Sequence, residues 1–213
     1  VKADVEDFAN FEVTPGASSD MGVFLLTAYN YPLNDVFKTH THLDLREKRG
    51  VAVGEDLSWK DPDGVDYAGK LRLYYADDQE PWHDDEQRAE REELIDSDRY
   101  WIHLEDRHNL TDRDYLITEL NHVSDPWTLS DFFDDEYQKK VQPENRVTLS
   151  HRGDGYTAGV GMNMRLNDFY GNVDRLPEVF FDVNRQQILD TPLYYEGENT
   201  LSYLNRAYAE QDD

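Results

Sequence analysis

The sequence has no cysteine among its 213 residues. It can therefore form no disulfide framework and no thiolate metal site, and the redox compartment stays open. No apolar run approaches the ~20 residues a membrane helix needs. A helical span is excluded, but a membrane β-barrel is not, because its lipid face uses only every second residue. Basic residues are few: 21 Lys and Arg stand against 46 Asp and Glu, a formal net charge of -25. Phosphate backbones and anionic membrane surfaces both call for clustered cations, so the balance argues against nucleic acid and against simple surface adsorption. A Gly-x-Ser-x-Gly elbow, a phosphate loop and a dinucleotide fingerprint are all absent. The chain reads as a non-enzyme without a cofactor.

Aromatic residues, by contrast, reach 13%, with fourteen Tyr. A disordered acidic chain is poor in aromatics, so this one folds. Period-two alternation recurs after Gly22 and predicts an all-β, antiparallel meander of about ten strands. Val23 to Tyr31, Phe37 to Leu45, Val51 to Trp59 and Tyr67 to Tyr75 open the series. Tyr100 to Arg107, Tyr115 to Val123, Arg146 to Arg152, Tyr156 to Tyr170, Glu178 to Arg185 and Thr200 to Tyr208 continue it. In Phe37 to Leu45, the residues Phe37, Thr39, Thr41, Leu43 and Leu45 alternate with Lys38, His40, His42 and Asp44, giving one apolar and one wet face.

Short turn signals such as Asp61-Pro62-Asp63-Gly64 and Gly153-Asp154-Gly155 alternate with long acidic stretches, Asp77 to Asp98 and Ser124 to Asn145. Short turns at one end and long loops at the other are a property of outer-membrane barrels; the brief Glu47 to Gly50 connection breaks the alternation. Asp84 to Ile95, charged nearly all round, reads as a solvated helix or plain disorder, and a helical piece entered through Asp125-Pro126 is predicted over Asp125 to Tyr137. Residues 1–21, with Pro15-Gly16 in their second half, read as an irregular lead-in, and residues 22–213 as the strand-forming region. Starting at Val1, the chain reads as an internal piece of a longer precursor.

His40 and His42 are the best metal-ligand pair, since alternate residues of a strand point the same way, with His122 or His103 as a third ligand. The ordinary reading is a polar strand face. Asp77-Asp78 and Asp84-Asp85-Glu86 are the densest carboxylate clusters that could attract Ca²⁺ or Mg²⁺, though no EF-hand spacing exists and solvated charge is the ordinary reading. Tyr29, Tyr31, Trp59, Tyr75 and Tyr100 lie near strand ends, where a bilayer girdle or plain strand preference would both put them.

The ordered pieces resemble one family. Val123 to Phe133, VSDPWTLSDFF, is similar to the "SDP…-x-DF" segment that ends a barrel strand in the lipopolysaccharide-assembly protein LptD (organic solvent tolerance protein) family. Upstream, THTHLDLREKRGVAVGEDLSW resembles that family's strand–"RG"–strand hairpin, with Arg49-Gly50 at the turn, which accounts for the short Glu47 to Gly50 connection. DGVDYAGKLRLYYADD and NDFYGNVDRLPEVFFDV resemble later strands. The resemblance covers most of Gly22 to Tyr208. It implies a partial transmembrane β-barrel in the outer membrane of a Gram-negative bacterium, an open curved sheet as a piece, with a short helix in an extracellular loop. Its partners would be lipopolysaccharide, outer-membrane lipid, a plug lipoprotein of the LptE type and periplasmic bridge proteins. Lys38, His40, His42, Asp44, Lys70, Arg72, Asn163 and Arg165 would then face the lumen. The second reading is a soluble secreted or periplasmic β-sandwich that binds carbohydrate or Ca²⁺ on an acidic face. The third is a glycan-processing enzyme on a β-rich scaffold.

Overall fold

The computed structural model describes residues 10–82, 91 and 95–209. The fold is all-β, with 62% strand and 6% helix. Its strands are β1 (Asn10–Ser18), β2 (Gly22–Pro32), β3 (Phe37–Arg46), β4 (Gly50–Lys60), β5 (Tyr67–Asp77) and β6 (Asp98–Asn109). Then come β7 (Asp114–Val123), helices α1 (Thr128–Phe132) and α2 (Asp134–Lys139), β8 (Arg146–Gly153) and β9 (Tyr156–Asn163). β10 (Asn172–Gln187), β11 (Tyr194–Gly197) and β12 (Thr200–Ala207) complete the chain. Each strand pairs antiparallel with the next from β1 to β11 in one open sheet. β11 and β12 both pair with β10, at Gln187–Val183 and Phe180–Asn172 respectively, so they are two halves of one strand broken at Glu198-Asn199.

The meander is as the alternation predicts, but several boundaries differ. The lead-in is corrected over Asn10–Ser18, where β1 pairs with β2 from Asn10↔Asn30 to Ser18↔Gly22; residues 1–9 of it lie outside the described residues. Phe11, Val13, Pro15 and Ala17 share one face there, and Pro15 is tolerated because β1 is an edge strand. β9 stops at Asn163 rather than Tyr170. Past it, the Arg165 backbone N–H leaves the ladder and donates to Asp174 Oδ1 at 2.8 Å. β10 starts earlier than expected, at Asn172, and both its ladders shift register between Arg175 and Glu178. Pro177 lies in that gap and has no N–H to give. The single helix expected over Asp125 to Tyr137 is two short ones, broken at Phe133 (φ −137°, ψ 52°). The stretch from Asp84 to Ile95, read as helix or disorder, lies outside the described residues apart from Arg91 and Ile95.

The register sorts side chains onto two faces. One carries Leu25, Leu43, Leu45, Val51, Val53, Leu73, Ile102, Leu149, Val160 and Val179, all exposed. The other carries rows such as Asn30↔His40↔Asp56↔Arg72↔His103↔Asn121. The buried cluster lies on this second face, where Ala52, Tyr74, Ala76, Trp101 and Val123 meet Leu129, Phe132 and Phe133 of the connection after β7. No second sheet packs on the first among the described residues.

Gly50 opens β4 with φ +75°, and a Cβ there would meet the Asp77 carbonyl oxygen at 2.2 Å. Gly50→Ala is expected to lower stability by about 1–3 kcal/mol from the strained backbone alone, read as a lower urea midpoint with an unchanged slope.

Candidate functional site

Five connections lie at one end of the sheet: 19–21, 47–49, 78–97, 124–145 and 164–171. Among them, charged side chains from segments far apart in sequence close into one buried knot. Arg49, in the β3–β4 turn, donates from Nε and Nη2 to Asp78 at 2.8 and 2.7 Å and from Nη2 to Asp131 at 2.9 Å. Arg99, near the start of β6, donates from Nε and Nη2 to Asp125 at 2.9 Å each. Its Nη1 reaches Asp78 at 2.8 Å and Asp131 at 2.7 Å. Arg91 adds a longer contact to Asp131 at 3.4 Å. The Arg99 and Asp78 side chains are 0% exposed, and Asp131 is 2% exposed.

Charges so buried cost several kcal/mol each unless partnered. Here three guanidiniums meet three carboxylates, so the knot is formally neutral. The Phe132 ring lies 5.1 Å from the guanidiniums of Arg46, Arg49 and Arg99. Such contacts add to the hold where water is excluded. Asp125 also starts α1: its carboxylate accepts from the Trp127 N–H at 2.9 Å and the Thr128 hydroxyl at 2.6 Å. Burial pushes Asp131 up, but Arg99 and Arg49 outweigh it and hold the carboxyl below its ordinary range. For Asp125, burial is likewise outweighed by Arg99, with help from Thr128 and Ser124.

The docked connection reaches along the polar face. Arg72 pairs with Asp56 in two bonds of 2.7 Å and touches Glu136 of α2 at 3.3 Å. Its guanidinium lies 4.9 Å from the Trp101 ring and 5.1 Å from Phe133.

No protein-family model matches the chain, and no curated protein matches it. Its own geometry carries the reading.

Seven of the eight polar residues singled out from the sequence share this face. Lys38, His40, His42 and Asp44 sit opposite Ser58, Asp56, Gly54 and Ala52 of β4. Lys70 and Arg72 continue those rows on β5, and Asn163 faces Arg146 and Arg175. Arg165 is placed differently, in the connection after β9, where it donates to the carbonyls of Asp168 and Tyr208.

The His40 and His42 rings stack with centroids 4.3 Å apart, and His42 Nε2 lies 3.7 Å from Asp56 Oδ2. Neither suggested third ligand joins them. His103 is three strands away on the same row. His122 is on the opposite face, beside Ile102 and bonded to Asn167. Among the described residues no group of three His, Asp or Glu could hold a metal ion. Asp78 of the Asp77-Asp78 cluster is consumed by the knot, while 84–86 lie outside the described residues.

Sequence reasoning missed the knot itself. Arg49, Asp78, Asp125, Asp131 and Phe132 stood in the stretches it quoted, but nothing in the spacing tied them to one another or to Arg99.

Arg99→Ala is expected to cost about 3–5 kcal/mol, because it leaves three carboxylates buried with too little positive charge. Loss of the urea midpoint should come with faster proteolysis within 124–145. The pH dependence follows from the depressed carboxyls. The stability they contribute is complete above about pH 4 and is lost as pH falls through their lower native values. Intrinsic fluorescence should hold steady from neutral pH to that point and change below it.

Proposed function

We propose that the chain is part of an outer-membrane β-barrel that inserts lipopolysaccharide into the outer leaflet of a Gram-negative bacterium. The observation that carries the membrane half is the sheet's exposed face. It is apolar on strand after strand, while the opposite face holds paired charges and a docked connection. β2 to β7 are 10 to 12 residues long, at or slightly above the ~9–11 residues of a membrane strand.

Aromatic residues bracket the aliphatic centre of this face. Phe11, Tyr29, Tyr31, Phe37 and Trp59 stand toward the short-turn end, with Tyr75 and Tyr100 toward the other. Such belts belong at bilayer interfaces. The face is not wholly apolar: Glu55, half-buried near the middle of β4, accepts a hydrogen bond from the Thr41 hydroxyl at 2.5 Å, Asp106 accepts from Trp59 Nε1 at 2.9 Å, and His122 is bonded to Asn167.

Lipopolysaccharide as cargo is supported by the LptD-like segments. The residues of the "RG" and "SDP…-x-DF" stretches, Arg49, Asp125, Asp131 and Phe132, are the ones that meet in the knot. On this reading the polar face looks into the lumen, toward a plug lipoprotein and the sugar portion of the cargo. Periplasmic bridge proteins deliver that cargo, and no bond is made or broken. A soluble sandwich would bury its apolar rows against a second sheet, and here those rows are bare.

Two tests follow. Leu43→Arg, at mid-strand on the apolar face, is expected to cost about 2–4 kcal/mol in a bilayer. The same change on a water-facing surface would stay within about 0.5 kcal/mol. Urea unfolding in vesicles separates the two. Depleting the protein in its own host should stop newly made lipopolysaccharide from becoming accessible to surface labelling; unaltered delivery would sink the transport reading.

A further inference from the structure

On the polar face, at the long-connection end of β8, β9, β10 and β12, lies a cavity of about 770 Å³. Arg146, Arg165, Arg175 and Arg206 line it, against two carboxylates, Glu144 and Glu178. Arg146 is paired with Glu119 at 3.3 Å and Arg165 with Asp168 at 3.5 Å, so the guanidiniums left to a ligand are those of Arg175 and Arg206.

Both carboxylates are already engaged. Glu178 accepts from the Ser202 hydroxyl at 2.8 Å and from Arg175 at 3.4 Å. Glu144 pairs with Lys140 at 3.3 Å. Arg165 has a positioning role, since its bonds to the Asp168 and Tyr208 carbonyls, at 3.0 and 2.6 Å, tie the 164–171 connection to the end of β12. Arg175 retains a side chain 53% exposed, and Arg206 stacks 5.0 Å from the Tyr208 ring. These two are presented to the open space.

The remaining polar wall includes the amides of Asn163 and Asn172, bonded to each other at 3.3 Å, with Tyr170 offering a ring. Guanidinium forks match the oxygens of a phosphate or carboxylate two at a time. Side-chain amides both donate and accept, as a ring of hydroxyls requires.

We infer that this cavity binds a sugar bearing an oxyanion, either phosphate or carboxylate. The inference deepens the proposed function and rests on it for the natural source of the ligand, the glycan of lipopolysaccharide.

The test titrates the 213-residue chain, folded in detergent micelles, with glucose 6-phosphate, glucuronate, glucose and inorganic phosphate, followed by saturation-transfer NMR and calorimetry. At least one anionic sugar should bind ten or more times tighter than glucose; which one does so tells phosphate from carboxylate. The pair Arg175→Gln and Arg206→Gln, and Arg206→Gln alone as the milder change, should weaken the anionic sugar, the pair by at least tenfold. Arg185→Gln, on the same strand but stacked 4.7 Å from Tyr194 at the far end, should leave it unchanged.

Equal binding of glucose, no loss in the paired variant, or an equal loss in the Arg185 variant would each overturn the site. Inorganic phosphate binding as tightly as glucose 6-phosphate would overturn its sugar component. If surface delivery of lipopolysaccharide depends on the protein while these titrations fail, the site alone is wrong. If the titrations succeed while delivery is independent of the protein, the transport reading fails and the oxyanion-sugar site stands.

Discussion

The loop end of this molecule depends on the pairing of Arg49 and Arg99 with Asp78, Asp125 and Asp131. These side chains come from the β3–β4 turn, the residue after β5, the start of β6, the entry to α1 and α1 itself. A guanidinium or carboxylate with no exposure is tolerable only when its partners are present. The segments therefore dock together or not at all. Directional, bidentate bonds such as Arg99 to Asp125 also admit few relative positions of the segments they join. Apolar contact alone would let the connection after β7 slide over the sheet; the knot, with Phe132 under three guanidiniums, fixes it at one place.

That fixed segment explains why the two sides of a single-layer sheet differ so much. On one side α1 and α2 supply a partial second layer, and Tyr74 and Trp101 are buried under Phe132 and Phe133. On the other, rows of Leu, Val and Ile remain bare. Soluble monomers rarely leave apolar patches beyond a few hundred Å² uncovered. The apolar rows here run from β1 to β12, so their natural medium is hydrocarbon or another apolar surface. The interior strands satisfy one another's backbone groups, as a hydrocarbon medium requires, while the outer edges of β1, β11 and β12 are open among the described residues.

The strands were legible because their faces differ. Thr39-His40-Thr41-His42-Leu43-Asp44 alternates so cleanly that its register could be read without a partner. β1 was harder: Glu12, Thr14 and Gly16 alternate with Phe11, Val13 and Pro15, but Pro15-Gly16 carries the chemistry of a turn, and only pairing with β2 overrides it. The end of β9 was illegible for a different reason. Met164 and Leu166 continue its alternation, yet Asn167 is needed elsewhere. Its side chain accepts from the Val123 N–H at 3.0 Å and donates to the Asn121 carbonyl at 3.1 Å. Asn145 accepts from the Asn121 N–H. Two asparagine side chains thus stand in for the ladder of β8 where that strand has not yet begun, and no local pattern announces such a substitution. The candidate site fared similarly. Its polar rows followed from alternation, whereas the knot and the arginine cavity join residues that only tertiary structure brings near.

The distribution of charge ties these features to one another. The acidic excess sits largely in exposed connections, such as Asp61, Asp63 and Asp66 at one end and Asp134 and Asp135 at the other. On the polar face the carboxylates are matched: Asp44 by Arg46, Asp56 by Arg72, Glu119 by Lys140 and Arg146. A matched pair presents little net field and holds its ligand-binding atoms for its neighbour, so it grips a passing anion weakly. In the cavity beside β10 and β12, Arg175 and Arg206 still face open space, and there an anionic sugar gains more than it loses by leaving water. Balanced rows that hold an anion weakly, with arginines presented near the loops, concentrate anion binding at one end of the polar face.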